Sequence, residues 1–130
     1  MPATKENLGH LIDTKRPPLV RPDTPRHEAT KTMTFLGQCG DHAVGISYFQ
    51  GHSAWARHPK GDELFIVLQG HLRLLTVDET GEDSLDAGPN TLIRIPAGLW
   101  HAQIAKEPVA QVFLTVGEGS ESSIEKPRNL

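Results

Sequence analysis

Residues 58–70 read His-Pro-Lys-Gly-Asp-Glu-Leu-Phe-Ile-Val-Leu-Gln-Gly, and this stretch decides the fold. Its first residue is a histidine, and the next four residues have the composition of a turn. Glu63 then opens an apolar run that ends before Gly70. A turn followed by bulky and β-branched residues predicts a tight connection into a buried strand. His58 would then end one strand and Glu63 would begin the next, so that two good metal ligands face each other across one turn.

A second stretch, residues 91–101, reads Thr-Leu-Ile-Arg-Ile-Pro-Ala-Gly-Leu-Trp-His. Its first five residues predict a short strand, and Pro96 marks the end of that strand because proline cannot donate to a ladder. Pro-Ala-Gly is turn chemistry. His101 follows at once, so it repeats the placement of His58 and Glu63 beside a junction of strand and turn.

Together the two stretches resemble the paired motifs of the cupin superfamily, written G-x5-H-x-H-x3–4-E-x6-G and G-x5-P-x-G-x2-H-x3-N. The pattern His58-x4-Glu63-x6-Gly70 matches the second His, the Glu and the closing Gly of the first motif. The pattern Pro96-x-Gly98-x2-His101 matches the core of the second motif. The resemblance covers roughly residues 42–117. It implies an all-β fold, an antiparallel double-sheet β-barrel or jelly roll.

Three motif positions depart from the family pattern. The first His of the pair falls on Ala56, the opening Gly of the second motif on Asn90, and the final Asn on Ala105. Asn90 is tolerable where the backbone is left-handed. The resemblance therefore implies three metal ligands of an expected four: His58, Glu63 and His101. His52, which precedes the motif strand, is a candidate for the fourth.

The order of elements along the chain supports the same fold class. Residues 1–29 hold five of the ten prolines and predict an N-terminal arm, with a short helical turn near 8–13. That arm is either loose or packed on the barrel or on a second subunit. Residues 30–117 predict a β-barrel, and the Gly/Ser/Glu-rich residues 118–130 a flexible C-terminal tail. The predicted strands are 30–36, 43–49, 53–58, 63–69, 71–77, 84–86, 91–95, 101–105 and 110–116.

Alternation assigns the side chains of strand 63–69 to two faces. Glu63, Phe65 and Val67 share one face, which we expect to line the barrel interior together with Ile95. The other face carries Leu64, Ile66 and Leu68, and a bare apolar face of this size would promote aggregation. Its cover is the arm, an outer sheet or a second copy of the chain. On this ground the sequence predicts a homodimer.

The same alternation places Ala56 beside His58 and Gln103 beside His101. With Phe65, these residues are predicted to line a pocket next to the metal ligands. Trp100 immediately precedes His101, so it is either a wall of this pocket or a packing residue.

The composition of the chain limits the classes of molecule that we expect the protein to bind. The chain has 130 residues, a net charge of −3 and a single cysteine, Cys39. Nothing in it indicates binding to nucleic acid or to a membrane, and it has no apolar run of spanning length or signal-peptide core. A cytoplasmic protein that binds a small molecule is the expectation.

Two imidazoles and one carboxylate leave open positions on a metal for water, substrate or dioxygen, as in the facial triad of non-haem iron oxygenases. Fe, Mn, Ni, Co and Zn all suit this set. The leading interpretation is a small metal-dependent cupin that acts on an organic acid, a sugar or a phenolic compound, by dioxygenase, isomerase or lyase chemistry. The alternatives are a metal-free barrel that binds a small molecule without catalysis and a purely structural dimer. The catalytic residues stay unassigned.

Overall fold

The computed structural model describes residues 2–13, 16–128 and 130. The helical elements among them are α1 Leu8–Asp13, α2 Arg26–Ala29 and a 3₁₀ turn at Thr30–Thr32. The strands are β1 Leu19–Val20, β2 Met33–Cys39, β3 His42–His52, β4 Trp55–Arg57, β5 Glu63–Gln69, β6 Leu72–Asp78, β7 Gly81–Ala87, β8 Thr91–Ile95, β9 Trp100–Thr115 and β10 Glu121–Ser123.

Strand β9 organises the sheet. Its first residues, 100–104, pair with β6, and His101 also pairs with Ala56 of β4. Its last residues, 109–115, pair with β3, and 110–114 also pair with β5. Further strands add on outside: β2 on β3, β8 on β5 and β7 on β6. The sheet does not close into a full ring, and the result is a jelly-roll-like arrangement that confirms the predicted all-β class.

The core lies between the two halves of this folded sheet. Phe65, Val67 and Ile95 are buried, whereas Leu64 and Ile66 are only half-buried. This confirms which face of β5 points inward. The main cluster of buried side chains consists of Val20, Phe49, Phe65, Val67, Leu72, Leu74, Ala87, Ile93, Ile95, Ala105, Val109 and Phe113.

Two backbone positions explain why the motif residues stand where they do. Gly70 has a φ of 81°, and a side chain there would collide with the carbonyl oxygen of Pro108 in β9. The glycine therefore lets β5 end against a neighbouring strand. Asn90 has a φ of 64°, so this asparagine does adopt the left-handed conformation that a glycine would otherwise supply.

Part of the N-terminal arm covers the outer face of the sheet. Ile12 of α1 is buried with Ile46 and Ala110, and the outward side chain of Leu68 packs against this cluster. Strand β1 joins the sheet as a parallel partner of β3. The arm therefore shields part of the outward apolar face of β5 from water. The homodimer stays a prediction.

The structure differs from the predicted elements at several places. The arm also contains β1 and α2, and residues 30–32 of the first predicted strand form a 3₁₀ turn. Residues 101–105 and 110–116 were expected to form two strands, but β9 runs continuously through the polar segment between them. The expected flexible tail contains β10, which pairs antiparallel with β4. A polar segment can pair in this way because the free backbone groups of an edge strand provide the hydrogen bonds. None of the helices among the described residues is long and apolar enough to cross a membrane.

Replacing a core side chain tests the assignment of faces. Val67 is fully buried, so we expect Val67→Ala to lower the free energy of unfolding by about 1–3 kcal/mol through lost transfer energy and a residual cavity. Leu92 on the adjacent strand is 58% exposed and serves as the control, with an expected change within about 0.5 kcal/mol for Leu92→Ala. Urea denaturation measures the free energy of unfolding of both variants. Equal decreases in the two variants would contradict the assignment of Val67 to the buried face.

Candidate metal centre

Three candidate ligands come from the ends of three strands. His58 follows the last residue of β4, Glu63 is the first residue of β5, and His101 is the second residue of β9. The amide of Gly98 donates to the carbonyl oxygen of His58 at 3.1 Å, which joins the turn before β5 to the turn before β9. The two ligand-bearing turns are therefore held side by side by the backbone itself.

The three side chains converge on one point. His101 Nε2 lies 3.0 Å from Glu63 Oε1, and His58 Nε2 lies 3.4 Å from Glu63 Oε2. One ligand atom from each residue lies within 4.8 Å of the others. Two atoms bound at ~2.1 Å to one metal lie about 3.0 Å apart at a right angle and about 3.4 Å apart at a tetrahedral angle. Each of the two separations, measured to a different oxygen of Glu63, falls within this range.

Each ligand is oriented by a contact on its far side. The Nδ1 of His101 donates to the carbonyl oxygen of Leu99 at 3.0 Å, which leaves its Nε2 directed at Glu63. The Nδ1 of His58 lies 2.7 Å from Ser120 Oγ. The hydroxyl of Thr115 donates to Glu63 Oε2. Such outer contacts fix the ring orientation and tautomer of metal-binding histidines.

Burial and neighbouring groups together shift the pKa values of Glu63 and His58. Burial of Glu63 tends to raise the pKa of its carboxyl group, but His101, His58 and the Thr115 hydroxyl outweigh this and hold that pKa below its ordinary value. Burial lowers the pKa of His58, and His101 adds to the lowering while Glu63 partly opposes it. Metal binding requires an ionised carboxyl group and neutral imidazoles, and the directions of the two shifts favour these states for Glu63 and His58.

One buried acceptor atom in the cluster has no hydrogen-bond donor. Glu63 Oε1 is buried and has no hydrogen-bond partner, although His101 Nε2 lies 3.0 Å away. An unsatisfied buried oxygen on a charged group is costly. A cation between the three side chains would satisfy it.

Asp62 connects the two ligand-bearing turns through its side chain. Its Oδ1 accepts from the amide of Ala97 at 2.8 Å, and its Oδ2 lies 2.7 Å from Arg94 Nη1. The hydrogen bond from Ala97 and the neighbouring guanidinium of Arg94 lower the pKa of Asp62. In the structure it holds the turn that precedes His101.

The cluster opens into a cavity of about 690 Å³. The structure places Ala56, Gln103 and Phe65 in its wall. Four phenylalanines contribute to the lining, namely Phe35, Phe49, Phe65 and Phe113. Two of them, Phe35 and Phe113, pack edge to face with centroids 5.7 Å apart.

Two predicted site residues lie elsewhere. Trp100 is buried with Trp55 and Val77 on the opposite side of the sheet, and the guanidinium of Arg57 lies 5.0 Å from its ring centroid. The interpretation of Trp100 as a pocket wall is wrong, because alternation turns it away from His101. His52 bonds through Nδ1 to the carbonyl oxygen of Ser53, at 2.7 Å. Within the part of the chain that the structure describes, it lies outside the ligand cluster.

Sequence reasoning missed Ser120 and Thr115. Thr115 faces Glu63 through the pairing of β9 with β5, which places Leu114 opposite Leu64. Only this register would have indicated its contact. No local pattern marks Ser120.

Comparison with known proteins agrees with this architecture. A family model described as the cupin domain matches residues 49–117, which is more than half of the chain. The chain therefore belongs to the cupin domain family.

Individual relatives are more distant. The uncharacterised protein YdbB of Bacillus subtilis (strain 168) is 35% identical over 66 residues, which is 51% of this chain and 56% of YdbB. The chain thus spans little more than half the length of this curated relative.

Two solved structures share the fold. Protein NMB1881 of Neisseria meningitidis has a TM-score of 0.65 and 14% identity, over 88% of this chain and all of that protein. Hydroquinone 1,2-dioxygenase of Sphingomonas sp. TTNP3, with 4-hydroxybenzoate bound, has a TM-score of 0.62 and 13% identity, over 91% of this chain and 74% of the enzyme chain.

The lowered pKa values predict a loss of stability in acid. The pKa of His58 is lower in the folded state than in the unfolded state, where it is ~6.5. The contribution of His58 to the free energy of unfolding is therefore complete above pH ~6.5, and it is lost as the pH falls toward the pKa of the folded state. Glu63 acts in the same direction at lower pH, below its ordinary value of 4.5. The melting temperature of metal-free protein should therefore fall steadily from about pH 7 downward.

His58→Gln is the control for this experiment, since glutamine does not titrate. The decrease in melting temperature between about pH 7 and 5.5 should be smaller in this variant than in the wild type. A wild-type protein that becomes more stable on acidification in that range would contradict the assignment.

Proposed function

We propose that this protein is a metal-dependent cupin that holds one divalent ion on His58, Glu63 and His101 and acts on a small phenolic compound. The observation that carries the proposal is the convergence of two imidazoles and one buried carboxylate at the wall of an aromatic cavity. The three residues also arise from two separate motif frames of the cupin family.

The ligand set fits a divalent ion in its chemistry as well as its spacing. Both Nδ1 atoms are engaged by outer partners, so each ring presents Nε2 to the carboxylate. Glu63 Oε1 is buried without a hydrogen bond, which a cation would remedy. A bound ion with open positions would polarise a substrate oxygen or activate dioxygen. Fe, Mn, Ni, Co and Zn remain compatible with two nitrogen ligands and one oxygen ligand.

The cavity favours a phenolic substrate over a sugar or an aliphatic acid. Four phenylalanine rings in its wall offer aromatic faces and edges to a phenolic ring, beside polar side chains such as Ser47 and Gln111. Gln103 supplies a polar group in the wall next to the cluster. The phenylalanines would hold the aromatic ring and exclude water, while the metal ligands face its oxygen. The likeness to a dioxygenase of hydroquinone supports the proposal only as an analogy of fold.

One observation favours the alternative of a metal-free binding barrel. Ala56 stands where the family motif has its first histidine, and it pairs directly with His101 across β4 and β9. An alanine at this position contributes no ligand, so the ion would depend on three side chains. If these do not retain an ion, the aromatic cavity still binds a small molecule.

Metal titration separates the two functions. Protein purified without a histidine tag and stripped of metal should bind one Mn²⁺, Co²⁺, Ni²⁺ or Zn²⁺ per chain, measured by calorimetry and elemental analysis. Glu63→Gln and His101→Ala should each weaken this binding by at least about 100-fold, or ~2.7 kcal/mol, because each removes one of three ligands. His27 is exposed and outside the cluster, so His27→Ala should bind like the wild type. Metal content that no added ion can raise would favour the metal-free barrel.

A binding panel tests the substrate class. Catechol and hydroquinone should bind at least about tenfold more tightly than glucose or oxalate, which corresponds to ~1.4 kcal/mol. Phe113→Leu should weaken the binding of these phenols because it removes an aromatic surface from the cavity wall. Leu92→Ala, on the outer surface, should leave it unchanged. Tighter binding of the sugar or the acid would contradict the phenolic assignment.

A further inference from the structure

The C-terminal strap, residues 117–124, contributes side chains to the wall of the cavity, among them Ser120, Ser122 and Ile124. Its strand β10 pairs with β4, with Glu121 opposite Arg57 and Ser122 opposite Ala56. The match to the cupin family model ends at residue 117, so residues 118–124 of the strap lie outside the matched part of the chain.

From these contacts we propose that Ser120 is a positioning residue of the metal centre, which holds the ring of His58 so that Nε2 points at the ion. This inference rests on the proposed function. Ser120 Oγ lies 2.7 Å from Nδ1 of His58, on the far side of the ring from Glu63. The ring is thus held between a hydroxyl and a carboxylate.

His58 needs such a support more than His101 does. The side chain of His101 is only 3% exposed, and a carbonyl oxygen two residues away in the chain binds its Nδ1. The side chain of His58 is 16% exposed and stands in the turn after β4, where no strand pairing fixes it. The partner of its Nδ1 comes from 62 residues away. Without the strap, the ring would be free to rotate about its side-chain bonds.

The strap is anchored well enough to serve this purpose. Arg57 Nη2 donates to both carboxylate oxygens of Glu121, at 3.1 and 2.9 Å. The amide of Ser120 donates to the carbonyl oxygen of Gly117 at 3.1 Å, which closes the turn that presents the hydroxyl. Because Arg57 immediately precedes His58, the strap is fastened beside the residue that it orients.

A hydroxyl group is a suitable partner for an imidazole ring that binds a metal ion. When Nε2 gives its lone pair to an ion, the proton of the neutral ring must be on Nδ1, and Ser120 Oγ accepts it. A hydroxyl can also donate, so it can satisfy the other tautomer before the ion arrives. The carbonyl oxygen behind His101 only accepts and holds that ring in one tautomer. An alanine at position 120 would support neither state of His58.

Substitution of Ser120 tests this role with Co²⁺ as the probe. Loss of such an outer partner typically weakens metal binding by about 10–100-fold, so we expect a loss of at least about tenfold in Ser120→Ala by calorimetry. Ser120→Thr keeps the hydroxyl and should restore affinity to within about threefold of the wild type. Ser122 lies on the same strap but pairs with Ala56, and the hydroxyl that binds Nδ1 of His58 is that of Ser120 instead. Ser122→Ala is therefore the matched control and should bind Co²⁺ like the wild type.

Ring ¹⁵N chemical shifts of His58 in metal-free protein give a second measurement, because they report the tautomer directly. We expect Ser120→Ala to change these shifts and Ser122→Ala to leave them unchanged, with the same melting temperature in both variants. Equal Co²⁺ affinity in wild type and Ser120→Ala would overturn the positioning role and leave the proposed function standing. A wild type that binds no Co²⁺ and no other divalent ion would overturn the proposed function instead. In that case unchanged His58 shifts in Ser120→Ala would overturn the orienting contact as well.

Discussion

The buried carboxylate of Glu63 is the group on which the rest of the centre depends. A charge that is removed from water must be compensated by partners at short distance. Here the partners are two imidazoles and the hydroxyl of Thr115, and they still leave Oε1 without a hydrogen bond. The position of Glu63 at the start of β5 brings these groups together, because β5 pairs with both β8 and β9.

The surrounding structure keeps the histidines in reach of that carboxylate. Strand β9 carries His101 at one end and Thr115 at the other, so one strand supplies two of the contacts to Glu63. The side chain of Asp62 and the amide of Gly98 tie the turn before β5 to the turn before β9. The strap adds the last contact through Ser120. The site is therefore assembled from segments that are distant in the chain and rigidly paired in the fold.

Local signals made a large part of this arrangement predictable. The bounds of β5 and β8 follow from apolar runs that end at a glycine and a proline, and Gly70 and Pro96 are visible in the sequence. The spacing of residues in the two motifs identified the three ligands, whereas the number of histidines in the chain would not have distinguished them. The outward orientation of Trp100 follows from its alternation with His101, but the contacts of Ser120 and Thr115 could not be read from local signals. Each depends on the pairing of segments that no local pattern specifies, such as β10 on β4.

The most direct measurement is a crystal structure of the tag-free protein grown with Mn²⁺ or Co²⁺, with anomalous diffraction recorded at the metal edge. We expect one strong anomalous peak within about 2.3 Å of His58 Nε2, His101 Nε2 and a carboxylate oxygen of Glu63. The hydroxyl of Ser120 should stay in contact with His58 Nδ1. An ordered structure with Glu63 and both histidines in place but no metal between them, at a concentration of ion that saturates other sites, would contradict the central claim.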